Sequence, residues 1–411
     1  MKSFSEFPLS ALLKSNLLKN GFEEPTAVQA QAIEPALAGR DVVATAQTGT
    51  GKTLAFVLPI IQRLAHEPSR GGIRAVILSP TRELAIQIDE TFARMAAGSA
   101  VRAAVVIGGV GESPQLQAIR KGAQVVIATP GRLYDFLSRG LIALGNVRIL
   151  VLDEADRMLD MGFLPTITRI MAAIPQERQT LFFSATIESS VKNLVEKHVR
   201  DAVRVEVGSI TKPVDKIDLH LYEVESDRKL GLLQMMLREE QGSFLVFART
   251  KHGADRLAKR LSHEGFKTAA IHGNRSQNQR SQALRGFQDG YYRVLVATDI
   301  AARGIHVEGI SHVVNYDLPQ VPEDFIHRVG RTGRAGARGT ASTFATRAER
   351  ADIAHIERIL ATRLVRRAVS GEVCRDVKAA ATVVEIPSGS PRPEQGRVRS
   401  FGPRRRFRRA V

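Results

Sequence analysis

Short apolar runs recur along the chain and alternate with stretches whose apolar residues follow a helical spacing. Uniformly apolar strands separated by helices indicate parallel sheets covered on both faces. The pattern therefore predicts an α/β fold with two sets of strands. The first set is Val42–Ala46, Ala75–Ser79, Ala103–Ile107, Val125–Thr129, Ile149–Asp153, Thr180–Ser184 and Val203–Val207, and the second is Ile217–Val224, Phe244–Phe247, Thr268–Ile271, Val294–Ala297, His312–Tyr316 and Thr340–Phe344.

The boundaries of the two sets predict two domains of similar build, residues 1–207 and 217–370. The stretch 208–216 between them contains a proline and no periodicity, so we expect a linker there. Further helices are predicted over Ser10–Lys19, after the stretch Gly21–Gln29 up to Leu37, and over Arg350–Leu360. From residue 371 the composition changes, and Pro387 to Pro393 is typical of disorder. Residues 371–411 are therefore predicted to form a disordered basic tail.

The charge of the chain limits its partners. Among 411 residues, 59 Lys and Arg face 42 Asp and Glu, which gives a net charge of +17. A surplus of this size favours polyanions, with nucleic acid first and an anionic membrane surface second. The single cysteine, Cys374, excludes an internal disulfide framework and a cysteine-rich zinc site. No apolar run has membrane-spanning length and the N-terminus lacks a signal-peptide core, so we expect a cytoplasmic protein.

An apolar strand, a loop of small residues and a helix follow one another between Val42 and Leu58. This is the context of a phosphate-binding loop, in which backbone N–H groups and a helix N-terminus face the anion. Lys52 is expected to reach the β- and γ-phosphates of ATP, and the Thr53 hydroxyl to ligate Mg²⁺. Ala46 replaces the usual first glycine, which requires a negative φ. The alternative is a chance Gly-Lys-Thr in a surface turn. The predicted phosphate contacts are Ala46, Gln47, Thr48, Gly49, Thr50, Gly51, Lys52 and Thr53.

Asp153 and Glu154 stand at the end of another apolar strand, where ligands of parallel sheets bind. Asp153 is expected to face the metal held by Thr53, through water. Glu154 is expected to orient or deprotonate a water aimed at the γ-phosphate. An acidic strand end is also typical of a helix cap, so the assignment depends on the pairing with the phosphate-binding loop.

The tetrapeptide Asp153-Glu154-Ala155-Asp156, with the ordered motifs around it, resembles the DEAD-box RNA helicases of superfamily 2. The resemblance runs from Phe4 to about Leu360. It implies two RecA-like domains in tandem, ATP and Mg²⁺ as cofactors, and RNA-stimulated ATP hydrolysis with local duplex unwinding. The short hinge resembles the bacterial RhlE-type subgroup.

The resemblance also assigns roles to individual residues. His306 stands where the family usually has aspartate, so it either accepts a hydrogen bond from the ribose or only fills the space. Arg331 and Arg334 would share one face if they were helical. The implied sets are Phe4, Phe22, Gln29, Gly304 and His306 for ATP; Asp156, Ser184, Thr186 and His327 for coupling; Arg82, Gly109, Thr129, Arg132, Thr250, Gly273, Gln277, Arg280, Thr298 and Arg303 for RNA; and Lys52, Asp153, Glu154, Arg331 and Arg334 for catalysis.

The expected partner is RNA, single-stranded or a short duplex, gripped through its backbone. Proteins of ribonucleoproteins, ribosome assembly or RNA decay are further expected partners, no membrane is expected, and the chain is expected to be a monomer. Two other functions stay open: an ATP-switched RNA clamp or assembly platform, and a DNA helicase. The arginine-rich tail either contacts phosphates and bases or only aids solubility.

Overall fold

The computed structural model describes residues 3–46, 50–67, 71–187, 189–207, 217–302, 307, 309–322, 324–333, 338–371 and 373–376. The predicted linker and most of the predicted tail lie outside these residues. Within them, no helix is long and apolar enough to cross a membrane.

The first domain contains one parallel seven-stranded sheet flanked by helices. Its strands are β1 (Val42–Ala46), β2 (Ala75–Leu78), β3 (Ala103–Val106), β4 (Val125–Ala128), β5 (Ile149–Leu152), β6 (Gln179–Ser184) and β7 (Val203–Val207), in the order β3-β4-β2-β5-β6-β1-β7. Its helices are α1 (Ala11–Lys19), α2 (Ala27–Leu37), α3 (Lys52–His66), α4 (Arg82–Met95), α5 (Glu112–Arg120), α6 (Pro130–Ser138), α7 (Ala155–Asp160), α8 (Leu164–Ala172) and α9 (Ser189–His198).

The second domain repeats this design with another parallel seven-stranded sheet. Its strands are β8 (Ile217–Glu223), β9 (Phe244–Phe247), β10 (Thr268–Ile271), β11 (Val294–Ala297), β12 (His312–Asn315), β13 (Gly339–Ala345) and β14 (Val365–Arg367), in the order β10-β11-β9-β12-β13-β8-β14. Its helices are α10 (Lys229–Glu239), α11 (Lys251–His263), α12 (Gln277–Gln288), α13 (Asp299–Ala302), α14 (Asp324–Val329) and α15 (Arg350–Leu360).

Successive strand residues point to opposite sides of a sheet, and helices flank both sides. Both faces are therefore buried. On β2, Ile77 packs into the cluster that contains Phe56 and Ile88, on the side of α3 and α4. Its neighbour Leu78 packs into the cluster that contains Phe136, on the side of α6 and α8. This two-sided burial explains why the strands read as continuous apolar runs, and it leaves the strand ends as the places for polar groups.

The beginning of the predicted tail is packed against the second domain. Val373 is buried in the second domain, the backbone N–H of Asp376 donates to the Asp227 carbonyl, and the Asp376 carboxylate pairs with Arg260 on α11. Residues 373–376 are therefore packed, because one apolar and one acidic side chain find partners on the domain. The prediction of disorder from residue 371 was wrong for this segment.

Candidate active site

The phosphate-binding loop joins β1 to α3, and it is described on both sides of residues 47–49. Ala46 is the last residue of β1 and is not among the described non-glycine residues with positive φ, as its position required. Gly51 precedes α3 at φ 81° and ψ 22°, where an added Cβ would collide with the Gln29 side chain. Lys52 is buried and donates from Nζ to the Ala46 carbonyl at 2.9 Å. Gln47, Thr48 and Gly49 lie outside the described residues.

Gln29 lies under this loop on α2. Its Oε1 accepts from the Thr26 N–H at 2.8 Å, and its Nε2 donates to the Gly51 carbonyl at 2.9 Å. The Thr26 hydroxyl donates to the Thr50 carbonyl at 2.7 Å. In this structure the carboxamide therefore caps α2 with one end and supports the loop with the other, and reading adenine would require it to exchange partners.

Phe4 and Phe22 precede α2. Phe4 is only 3% exposed and packs against Phe7, with ring centroids 6.0 Å apart. The ring is therefore almost fully buried in this structure, and its stacking on the base stays a prediction. Phe22 is partly buried against the same apolar cluster.

A cavity of about 400 Å³ brings the predicted phosphate and acidic residues together. Lys52 and Thr53 line it from the start of α3, and Asp153 and Glu154 line it from the end of β5. The pKa of Asp153 is raised to about 7, mainly by burial and also by the neighbouring Glu154 carboxylate. The Lys52 ammonium acts in the opposite direction. The site therefore holds a carboxyl group that favours a nearby cation.

Glu154 has an unusual backbone conformation for a residue with a side chain. Its φ of 50° and ψ of 53° are left-handed, at the N-cap of α7. Such angles cost about 1–3 kcal/mol and concentrate at functional sites. Its Oε2 accepts from Arg157 Nη1 at 2.7 Å, and both side chains are buried. No role was predicted for Arg157, because its only signal in the sequence is the three-residue spacing from Glu154 on a helix.

The predicted coupling residues of the first domain form one network. Asp156 Oδ2 accepts from the N–H groups of Ala185 and Thr186, both at 2.9 Å, and from the Thr186 hydroxyl at 3.2 Å. The Ser184 hydroxyl accepts from the Asp156 N–H at 3.3 Å and donates to the Thr186 carbonyl at 2.7 Å. The end of β6 is thereby tied directly to the start of α7.

His327 approaches this network from α14 of the second domain. Burial lowers the pKa of His327, Arg157 and Arg331 lower it further, and Asp156 acts in the opposite direction. The charges of Asp156 and Arg157 on α7 therefore act on His327 of the second domain, and its bridging role stays a prediction.

Arg331 lies just beyond a helix. Helix α14 ends at Val329, so Arg331 lies in a turn and does not meet the condition of helical spacing on which a face shared with Arg334 depended. Its Nε donates to the His327 carbonyl at 3.2 Å, and it lines a separate cavity of about 300 Å³ beside Arg338. Arg334, Arg303, Gly304 and His306 lie outside the described residues.

A second cavity, of about 480 Å³, collects many of the predicted RNA contacts. They come from both domains, and two apolar side chains that the sequence analysis missed lie among them. Its lining includes Arg82, Gly108, Thr129, Gly131, Arg132, Gly273 and Arg280, with Met161 and Phe163.

Other predicted RNA residues have identifiable structural roles. Gly109, at φ 73°, allows the Arg82 guanidinium to lie against the backbone, because an added Cβ would collide with it. The Thr250 hydroxyl caps α11 by accepting from the Gly253 N–H at 3.0 Å. Thr298 follows β11 at the carboxyl edge of the second sheet.

Gln277 and Arg280 are held across the domain boundary instead of pointing into open solvent. Gln277 Nε2 donates to Glu83 Oε1 at 2.9 Å, and Arg280 Nη2 donates to Glu83 Oε2 at 2.7 Å. All three side chains are buried. These two residues, predicted to contact RNA, thus join α12 to α4 in this structure, and the acidic partner was not foreseen.

Comparisons with known proteins agree with this arrangement. The DEAD/DEAH box helicase family model matches residues 26–194, and the helicase conserved C-terminal domain model matches residues 228–336. The ATP-dependent RNA helicase vasa of Drosophila melanogaster is 42% identical over 335 residues, 80% of this chain and 51% of vasa. The DEAD-box ATP-dependent RNA helicase CshA of Geobacillus kaustophilus is 40% identical over 367 residues, 89% of this chain and 78% of that protein.

Among solved structures, S. cerevisiae Dbp5 bound to RNA and ADP BeF3 is similar with a TM-score of 0.79 and 31% identity, over 90% of this chain and 96% of that chain. This similarity confirms that the two sheets are RecA-like domains in tandem. The chain spans about half the length of vasa. On the shared fold, the two matched regions and this level of identity, the chain belongs to the DEAD-box family of ATP-dependent RNA helicases.

Proposed function

We propose that this protein hydrolyses ATP in the cavity around Lys52 and uses the hydrolysis to separate short RNA duplexes locally. The main support is the contact of Glu83 with Gln277 and Arg280, because Glu83 lines both the 400 Å³ and the 480 Å³ cavity. A domain movement that breaks this contact changes both cavities together. Dbp5 was solved bound to RNA and ADP BeF3, and we infer the same classes of ligand here.

In the first cavity, Lys52 binds the β- and γ-phosphates, and Glu154 accepts the proton of the attacking water as the bond from the γ-phosphorus to ADP breaks. Thr53 and Asp153 supply the hydroxyl and carboxylate oxygens that suit Mg²⁺. The raised pKa of Asp153 also fits a site completed by a cation. When bound, Mg²⁺ neutralises charge on the phosphates.

In the second cavity, Arg82 and Arg132 supply cations for phosphates, and Thr129 supplies a hydroxyl. Contacts of this kind position a strand without reading its sequence. A strand bound to both domains must bend, and a bent strand does not stay in a duplex. The Asp156 network and His327 link this movement to the ATP site.

Other parts of the proposal depend on the family and the sequence. These are the preference for RNA over DNA, the RhlE-type subgroup, action as a monomer in the cytoplasm, and partners from ribonucleoproteins, ribosome assembly or RNA decay. The relatives described above carry the names CshA and vasa. The assignment to the RhlE-type subgroup therefore depends only on the compact layout and short hinge of the sequence. We place the domains at residues 1–207 and 217–376, with the linker at 208–216 between them.

The test measures ATP hydrolysis with RNA, with DNA of the same sequence, and with neither. Lys52→Ala and Glu154→Gln should each abolish hydrolysis, and only the Glu154 variant should still bind ATP and retain RNA. Lys192→Ala removes a lysine that is 65% exposed on α9 and serves as the matched control.

A Glu154→Gln variant with a wild-type rate would show that another group activates the water. Equal stimulation by DNA would favour a DNA helicase. Slow turnover with long RNA retention would favour the clamp.

A further inference from the structure

We propose that Arg157 is a positioning residue of the ATPase site, which fixes the Glu154 carboxylate for water activation. The inference rests on the proposed function of Glu154. Arg157 belongs to none of the residue sets that the family resemblance assigns, and it is buried one helical turn after Glu154.

The contact is short and almost fully removed from water. Arg157 Nη1 lies 2.7 Å from Glu154 Oε2, and the two side chains are 8% and 4% exposed. A guanidinium is planar and directional, so this bond restricts the plane of the carboxylate as well as its position. The orientation of a water held by Glu154 depends on that plane.

The backbone of Glu154 makes such a restraint useful. At the left-handed N-cap of α7, Glu154 stands before the first turn of the helix, and Arg157 in that turn holds its carboxylate. The Arg157 bond therefore supplies an orientation that the main chain does not. Reacting groups must be held within fractions of an ångström for full rate, which is what a buried, directional restraint achieves.

Arg157 also connects this carboxylate to the domain boundary. Its own N–H donates to Asp156 Oδ1 at 2.9 Å, and its charge acts on His327 of the second domain. Its buried Nη2 has no hydrogen-bond partner among the residues the structure describes. Burying an unpaired donor costs stability, so the arrangement favours a functional over a merely structural role.

The experiment compares Arg157→Ala, Arg157→Lys and Arg157→Gln in the full chain at saturating RNA. We expect Arg157→Ala to lower kcat by about 10- to 100-fold, the scale of a misplaced reacting group. The KM for ATP, and RNA affinity with a non-hydrolysable ATP analogue, should change less than about twofold. Arg157→Lys should restore part of kcat because it keeps the charge without the planar fork. Arg169→Ala on α8 is the control for loss of an arginine.

A double variant separates positioning from a general structural effect. In a Glu154→Gln background, which still binds ATP and RNA, adding Arg157→Ala should leave ATP binding and RNA retention unchanged, because Arg157 acts through the Glu154 carboxylate. Thermal unfolding followed by circular dichroism identifies a variant that does not fold, and Arg157→Lys and Arg157→Gln then carry the test.

Two outcomes would overturn the inference. One is a kcat within twofold of wild type in all folded Arg157 variants while Glu154→Gln is inactive. The other is a raised KM for ATP with unchanged kcat, which would make Arg157 part of nucleotide binding. An active Glu154→Gln variant would instead refute the proposed role of Glu154 itself.

Discussion

We expect Asp153 to make the ligand-free protein less stable as the pH rises. Its buried carboxyl group has a pKa raised from 3.8 to about 7. Between these values the folded protein binds this proton more tightly than the unfolded chain, so the free energy of unfolding falls with increasing pH. Asp153→Asn keeps the size of the side chain and removes the titration.

The size of the effect follows from the two pKa values. With 3.8 in the unfolded and about 7 in the folded state, the buried carboxyl group of Asp153 lowers the free energy of unfolding by roughly 2 kcal/mol at pH 5 and roughly 4 kcal/mol at pH 8, relative to its protonated form. The free energy of unfolding of the wild type should therefore fall, relative to Asp153→Asn, by roughly 2–3 kcal/mol across this range.

The measurement is urea unfolding at pH 5, 6, 7 and 8 without nucleotide or Mg²⁺, followed by far-ultraviolet circular dichroism. A chain of two domains unfolds in more than one step, so the transition of the first domain is the one to compare. Asp201→Asn, in the same domain, changes the net charge equally at a side chain that is 96% exposed.

Stability profiles of wild type and Asp153→Asn that stay parallel within about 0.5 kcal/mol from pH 5 to 8 would contradict this prediction. They would show that Asp153 ionises without cost in the ligand-free cavity. Burial would then not contribute to the affinity of the Asp153 carboxylate for a cation.

Two further predictions concern RNA and domain closure. Removing the residues after Pro391 should weaken RNA affinity and flatten its salt dependence while the RNA-saturated ATPase rate stays nearly intact; an unchanged salt slope in a binding titration would contradict this. Arg280→Ala leaves Glu83 buried without its ion-pair partner, which costs the closed state roughly 3 kcal/mol. Energy transfer between fluorophores on the two domains should then report a more open protein. Arg238→Ala, at a 64% exposed arginine, is the control and should match the wild type. An Arg280→Ala variant that also matches the wild type would show that the contact does not hold the domains together.

The strands were predictable because burial on both faces imposes apolar runs on the sequence. All thirteen predicted strands are present, yet several end one residue earlier than predicted, before Ser79, Thr129 and Asp153. These polar residues follow the last ladder residue, at the edge where ligands bind. The strand β14 was missed because Val365–Arg367 is short and exposed, so no apolar run marks it.

The site was predictable only as far as it is local in sequence. The phosphate-binding loop and the acidic strand end combine neighbouring residues, and they share one cavity. The burial of Phe4 and the pairing of Arg157 with Glu154 depend on how the chain packs around these residues. No spacing distinguishes a buried aromatic ring from one that is open to a base.

The Glu83 contact shows why two ligands can depend on each other without touching. Glu83 lies on α4 of the first domain and binds Gln277 and Arg280 on α12 of the second. Because Glu83 lines both cavities, the position of α12 affects the shape of each. If ATP and RNA both bind more tightly to the closed position of α12, each favours the binding of the other. The coupling free energy is then the same in both directions. We therefore expect RNA to tighten ATP binding by the same factor by which ATP tightens RNA binding.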